Sequence, residues 1–388
     1  MKKILAITGI RSEYDILYPV LRELEDHPNF DLKLVVTGAH LSDWHGFTIK
    51  KIEEDGFNII DRIDYLLMTN RTTQRSKGVG LLIEGLTQTV EREAPDLLIF
   101  IGDREESIAT CIVGNYMDVL VVHIGGGDTV YGNADDPIRQ ACSKLAHVHF
   151  VTAKPYAKNL IENLSEEKFR VCFSGNPALS NILNTKIIDK KELSKFLDLD
   201  IVNNDYIVVL KHPMSSEINN AYSQMKITME SIKKFSMLHK IKVIGIYPNT
   251  DPGSYDIINA IDEIKSDDIK FYKTLPRDEF INIMRNAKCL IGNSSMGILE
   301  APLYNLPVVN VGNRQQGRLN AGNVIFVDYD EDKIIKELEN ACFNTEYRKK
   351  IKELDNIYGK GDAHKIIVDF LDNIDLNNDK WYIKKKIC

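Results

Sequence analysis

The feature that most constrains this chain is a regular alternation of short apolar runs with longer amphipathic stretches. The first series of runs is Ile4–Thr8, Leu32–Thr37, Leu97–Ile101, Val119–Ile124 and Val148–Thr152, with helical spacing between them at Tyr18–Glu25 and Gly80–Glu93. Runs of five or six residues bounded by turn residues, mostly without polar alternation, predict strands buried on both faces. Strand, helix, strand, helix is the order of a parallel sheet covered on both sides.

The rhythm restarts after Gly175-Asn-Pro177 and the polar stretch 186–205, with further strand candidates at Tyr206–Leu210, Lys242–Ile246, Lys270–Tyr272, Cys289–Ile291, Val308–Val311 and Val324–Val327. A chain of 388 residues is long for one core, so two α/β domains are expected, residues 1–177 and 178–363. The apolar spacing of Ala363–Leu371 predicts a last helix, and the segment 364–388 is expected to cross back onto the first domain.

Hydrophobic residues make up 44% and charged residues 27%, the profile of an ordinary globular protein, and the net charge is -7. That charge argues against nucleic acid or an anionic membrane as partner, so any anion site must be built locally. The six cysteines, at 111, 142, 172, 289, 342 and 388, form no CxxC pair and lie at no zinc-ligand spacing, so reduced structural roles and no metal are expected. No apolar stretch reaches the ~20 residues of a membrane helix. A cytoplasmic location is the expectation.

In open parallel sheets ligands sit beyond the carboxyl ends of strands, which directs attention to the residues after each run. Thr8-Gly-Ile-Arg11-Ser-Glu13-Tyr-Asp15 offers an Arg and free amides at a strand-to-helix turn, a place for phosphate or simply a turn with a surface Arg. Gly102-Asp103-Arg104-Glu-Glu106 ends another run, and an Asp–Arg neighbour pair reads equally as a capping arrangement. His123-Ile-Gly-Gly-Gly127-Asp128 lets the backbone approach a ligand closely. Asp135-Asp136-Pro137-Ile-Arg139 suits a helix start, with capping as the alternative to chemistry. Three acidic sites after two neighbouring strands nonetheless suggest a carboxylate cluster able to pass protons, because crowded carboxylates raise one another's proton affinity.

The second half supplies a complementary set. His212, fixed between a strand end and Pro213, is a candidate phosphate ligand or acid, or a satisfied buried His, and Asn249 stands in a turn-rich loop. Gly292-Asn-Ser294-Ser295-Met-Gly297-Ile-Leu-Glu300 runs from a strand into a helix. Its amides and hydroxyls suit a diphosphate, and a carboxylate inside the helix suits a ribose. Neither GxGxxG nor GxxxxGK[ST] is present. Gly312-Asn-Arg314-Gln315-Gln-Gly-Arg318 adds two cations.

Taken together, in order and spacing, these motifs resemble the UDP-N-acetylglucosamine 2-epimerase family, in its hydrolysing branch that feeds sialic- and legionaminic-acid-type sugars. The resemblance rests on Arg11-Ser-Glu13-Tyr14, Gly102-Asp103-Arg104, Asp135-Asp136-Pro-Ile-Arg139, His212-Pro213, Pro248-Asn249, Gly292-Asn-Ser-Ser295, Glu300, Arg314-Gln315 and Tyr358-Gly-Lys-Gly361-Asp362. His212-Pro213 resembles the hydrolysing branch, where non-hydrolysing relatives carry His-Arg-Arg-Glu-Asn. The resemblance implies a glycosyltransferase-B-like fold of two Rossmann-like domains with the nucleotide in a cleft between them, and a homodimer or homotetramer.

It further implies that Ser294, Ser295, Gly297, Glu300, Arg314, Gln315 and Arg318 hold ribose and diphosphate, with Asn249, Arg11, Asp15 and Arg104 assisting. Asp103, Asp128, Asp135 and His212 would surround the sugar. The implied substrate is a UDP- or GDP-linked N-acetylglucosamine or a bacillosamine-type analogue, with no cofactor. Deprotonation at C2 with loss of the nucleoside diphosphate from C1 gives a 2-acetamidoglycal, and hydration gives the free manno-configured sugar. Three positions depart from the pattern. Gly125 stands where many relatives have Glu, Gln140 where a His is usual, and Asp15 where some have Ser. Asp128 is the candidate substitute, or Gly125 makes room for a sugar altered at C4 or C6. A glycosyltransferase of the same fold and a non-catalytic sugar-nucleotide sensor are the alternative readings.

Overall fold

All five residues of β4 (Leu97–Ile101) are buried, as are all five of β5 (Leu120–Ile124) and of β8 (Tyr206–Leu210). A strand with no exposed face must lie inside a sheet covered on both sides, and the computed structural model contains two such sheets. It describes residues 1–67, 73–128, 135–249, 251–264 and 266–384, with the side chains of Asp135 and Ser215 outside the description. Among these residues the chain divides into two units. One holds 1–128, 135–183 and 358–384, and the other holds 184–357.

The first unit adds β1 (Lys2–Thr8), β2 (Phe30–Thr37), β3 (Ile59–Ile63), β6 (Val148–Val151) and β7 (Val171–Phe173). The sheet order is β3-β2-β1-β4-β5-β6-β7 and every pairing is parallel. The strand order reverses between β1 and β4, so the loops after those two strands diverge and leave a crevice. Two strands escape the apolar-run pattern. β3 lies at the sheet edge and carries Asp61 and Arg62, and β7 is three residues long.

The second unit contains β8, β9 (Lys242–Ile246), β10 (Ile269–Tyr272), β11 (Leu290–Gly292), β12 (Val308–Val311) and β13 (Val324–Val327). Their order is β10-β9-β8-β11-β12-β13, again all parallel. Here the reversal lies between β8 and β11. Ile207 and Val209 face one apolar layer and Val208 and Leu210 the other, as the two-residue period of a strand requires.

The helix Ala363–Asp372 packs in the first unit, where Ile367, Val368, Leu371 and Trp381 join the core formed by the helix Arg11–Asp26 and strands β1 and β2. Lys2 Nζ donates to the carbonyls of Leu371 and Asp372, at 2.8 and 2.6 Å. Arg170 is fully buried and donates to the carbonyls of Trp381 (2.7 Å), Ile383 (2.9 Å), Lys380 and His147 (3.2 Å), and to Glu167 Oε2 at 2.9 Å. One guanidinium thus ties the end of the chain to the start of β7. Five cysteines are free among the described residues. No helix among those residues is long and apolar enough to cross a membrane.

Arg170→Met should therefore leave several buried carbonyls without donors and cost about 3 kcal/mol or more. Differential scanning calorimetry should show a fall in Tm of roughly 6–12 °C, with early proteolytic release of the C-terminal segment. An unchanged Tm and an intact C-terminus would show that the guanidinium does not hold it.

Candidate active site

In the second unit one amide organises the crevice. Gly292 has φ +144°, and a Cβ there would lie 2.0 Å from the Leu210 carbonyl oxygen, so only glycine lets the ends of β8 and β11 approach this closely. Asn293 follows, buried. Its side-chain Oδ1 accepts from the His212 amide at 2.7 Å and its Nδ2 donates to the His212 carbonyl at 2.8 Å. Its own carbonyl accepts from Arg314 Nη1 at 3.0 Å and Gln315 Nε2 at 3.2 Å. Arg318 Nη1 in turn donates to Gln315 Oε1 at 3.0 Å. The loops after β8, β11 and β12 are laced together through this single residue.

His212 Nδ1 accepts from the Asn249 amide at 3.1 Å, which adds the loop after β9 and places the ring proton on Nε2. Burial, with the Arg314 charge adding to it, pushes the His212 pKa down to about 3. The ring is therefore neutral at physiological pH and offers a neutral Nε2–H donor. Asn249 Nδ2 donates to Asp251 Oδ2 at 2.6 Å. Ser294 and Ser295 are half-buried just after the clamp, and Gly297 packs so tightly that a Cβ would lie 2.9 Å from Val308 Cγ1.

Glu300 departs from expectation. The helix expected to carry it is one α-turn, Met296–Leu299, and Glu300 is its C-cap at the entry to a 3₁₀ turn, Ala301–Tyr304. Pro302 accounts for this, because it lacks an amide and disfavours α geometry in the residue before it. The dipole contribution is thus that of a single turn, and the anion platform rests on loop amides, hydroxyls and Arg314.

In the first unit the expected residues gather after β1, β4 and β5. Arg11 Nε stands 3.5 Å from Asp15 Oδ2, and the Asp15 carbonyl accepts from Asn181 Nδ2. Arg139 is the hub of the acidic set. Its Nη2 donates to Asp103 Oδ2, and its Nη1 donates to the Asp128 carbonyl at 3.3 Å and lies 3.6 Å from Asp128 Oδ2. Asp128 is buried. Asp135 opens the helix Asp135–Leu145 that carries Arg139, and its side chain lies outside the described residues. His123, also buried, stacks on Phe100 and donates from Nε2 to the Gly102 carbonyl at 2.9 Å, fixing the turn that presents Asp103. Arg104 caps the helix Glu105–Tyr116 in extended conformation.

Carboxylate crowding falls on two residues beyond the expected set. Glu13 Oε1 lies so near Gly102 that a Cβ there would be 2.7 Å away, and Glu106 Oε1 fills the space beside Gly9 and Gly38 while accepting from Tyr65 Oη at 2.6 Å. Glu106 is 3% exposed. Burial and then the Glu106 charge push Glu13 well above the ordinary carboxyl range, with Arg104 opposing. Burial also raises Glu106 against the pull of Arg104. Glu105 goes the other way: burial is outweighed by Arg104 and Arg75 together. Among the described residues no cluster of three or more His, Cys, Asp or Glu side chains is placed to hold a metal ion.

A family model described as UDP-N-acetylglucosamine 2-epimerase matches residues 22–372. The chain belongs to the UDP-N-acetylglucosamine 2-epimerase family. It is 32% identical to a UDP-N,N'-diacetylbacillosamine 2-epimerase (hydrolyzing) of Legionella pneumophila, over 97% of both chains. It is 31% identical to a GDP/UDP-N,N'-diacetylbacillosamine 2-epimerase (hydrolyzing) of Campylobacter jejuni, over 88% of both. The crystal structure of UDP-GlcNAc 2-epimerase from Neisseria meningitidis bound to UDP-GlcNAc matches with a TM-score of 0.82 at 21% identity, over 95% of this chain and 99% of that one. The fold of this family member is accordingly the glycosyltransferase-B-like class built of two Rossmann-like units.

Asn293, Arg139, Glu13 and Glu106 all lie within motifs visible in the sequence of this epimerase-family chain, yet their parts in the site show only in the structure. Because the folded state holds Glu13 and Glu106 protonated above the pH at which the unfolded chain releases those protons, stability falls as pH rises beyond the ordinary carboxyl range. Glu106→Gln should flatten the fall in Tm between pH 5 and 8. The same pH dependence in the variant would show that the raised pKa of Glu106 does not contribute to it.

Proposed function

We propose that the protein is a hydrolysing nucleotide-sugar 2-epimerase whose substrate is a UDP-linked diacetamido sugar of the N,N'-diacetylbacillosamine type. The observation that carries the sugar assignment is at the three glycines after β5. A Cβ at Gly126 would lie 2.8 Å from Ser143 Oγ, and one at Gly127 2.6 Å from the Tyr156 carbonyl, so packing demands both. Among the described residues, nothing lies within 4 Å of a Cβ at Gly125, at φ +88°. Space where relatives carry a Glu suits an added acetamido group at C4. The likeness to two diacetylbacillosamine 2-epimerases supports the same choice.

In this reading Ser294, Ser295 and Arg314 receive the diphosphate, with Gly297, Gln315 and Arg318 supporting their loops. Glu300 takes the ribose hydroxyls, and Arg11, Asp15, Arg104 and Asn249 assist. Asp103, oriented by Arg139, removes the proton at C2. The C1–O bond breaks with its electron pair going to the diphosphate, and the C1–C2 double bond forms. The neutral His212 Nε2–H donates a hydrogen bond to the departing oxygen without delivering a full charge. Water then adds hydroxyl to C1, and a proton reaches C2 from the opposite face with Asp128 or Asp135 as its source. The free manno-configured sugar is suited to sialic- or legionaminic-acid-type synthesis, in a homodimer or homotetramer.

Incubation with UDP-N-acetylglucosamine, its 4-acetamido-6-deoxy analogue and the GDP counterparts in deuterated water, followed by proton NMR, tests the reaction. Free manno sugar deuterated at C2 together with nucleoside diphosphate is expected, fastest for the UDP-linked diacetamido sugar. Intact nucleotide sugars despite UDP binding would overturn the enzyme in favour of a sensor, and turnover only with an acceptor would favour a glycosyltransferase. Asp103→Asn should lower kcat about 10²–10⁴-fold while Tm falls by no more than a few degrees, because Arg139 keeps Asp128. Gly125→Ala should lower kcat/KM for the diacetamido sugar several-fold more than for UDP-N-acetylglucosamine. Equal losses would point to backbone strain alone.

A further inference from the structure

Lys211 immediately follows β8, next to His212, and is 2% exposed. Its Nζ donates to Tyr329 Oη at 3.1 Å and lies 4.8 Å from the centre of that ring. Among the described residues it has no carboxylate within ion-pair reach, an unusual state for a buried ammonium, which is ordinarily paired or neutral. Its position supplies the reason. A Cβ on Gly312, at φ +85°, would lie 2.2 Å from Tyr329 Oη, so the Lys211–Tyr329 pair supports the turn leading into Asn313, Arg314 and Gln315. Glu217 steadies the same turn, accepting from Asn313 Nδ2 at 3.3 Å and from Gln224 Nε2 at 2.5 Å.

We propose that Lys211 is a proton-linked positioning residue of the nucleotide site. When a nucleoside diphosphate settles at the Gly312–Arg314 turn, the buried amine supporting that turn takes up a proton and holds it in place through Tyr329. The inference rests on the reading of the second unit as the nucleotide site. The charged and titratable groups around the amine are Glu217 from the segment after β8, Arg314 from the turn after β12, Tyr329 from the end of β13 and its neighbour His212.

Burial lowers the Lys211 pKa to about 7, with Glu217 opposing and Arg314 adding to the fall. A bound diphosphate contributes negative charge and raises it again. The sign follows from linkage: the ligand prefers the protonated amine, so affinity falls as pH rises above 7, by up to about tenfold per pH unit.

Calorimetric titration of the full-length protein with UDP at pH 8, in two buffers of different ionisation enthalpy, reads the proton directly. Wild type should take up close to one proton per UDP bound. Lys211→Met should take up markedly less, bind more weakly and lose the pH dependence between 7 and 9. Lys211→Arg, always charged, should bind with that same reduced uptake and serves as the control for folding. UDP binding with no proton uptake in wild type, or equal uptake in all three proteins, overturns the inference and leaves the proposed function standing. Absence of UDP binding in wild type overturns the nucleotide reading and the inference with it.

Discussion

The second unit depends on one side-chain amide meeting the main chain of one residue. Asn293 uses both ends of its amide on the amide and carbonyl of His212, and a neutral pair of hydrogen bonds in a buried setting leaves neither main-chain polar group of that residue unsatisfied. Because the Asn293 carbonyl also receives Arg314 and Gln315, the cation offered to a ligand is aimed by the same residue that positions the imidazole. No aspartate could substitute without losing the donor, and no alanine without leaving the amide and the carbonyl of His212 to find other partners.

The first unit solves the opposite electrostatic problem. It gathers acidic side chains in one crevice and divides them by environment. Asp103 and Asp128 share Arg139, whereas Glu13 and Glu106 are packed where ionising both is unfavourable. Burial raises Glu13 and Glu106, while at Glu105 burial is outweighed by Arg104 and Arg75, so neighbouring carboxyl groups of one loop system differ in proton affinity. His123 belongs to the scaffold of this arrangement. Its burial in β5 and its bond to Gly102 hold the Asp103 turn, and its pKa, lowered to about 3 chiefly by burial, keeps it from titrating there.

Much of this was legible in the sequence, and what was not has a physical pattern. Eleven of the thirteen strands coincide with apolar runs because burial on both faces leaves a continuous signal. β3 was hidden by the charges of an edge strand and β7 by its length. The candidate site residues stand where strand ends meet Gly, Ser, Asp or Arg. Their partners were not legible, since Asn293 and His212 are 81 positions apart and Asp103 and Arg139 are 36 apart. Glu300 follows a helix-like run in the sequence, but Pro302 ends the α geometry one turn after it begins.

The closing segment has a consequence for how the molecule is made. The core of the first unit is completed by Ile367, Val368, Leu371 and Trp381, and Arg170 waits on carbonyls from 380 to 383. On a ribosome the segment 184–357 emerges before those residues do, so the second unit can close its core while the first still lacks the last piece of its own. Synthesis order and assembly order are therefore inverted: the domain begun first is the domain finished last, and its buried guanidinium, held at first by Glu167 and the His147 carbonyl, gains its remaining acceptors only when residues 380–383 leave the exit tunnel.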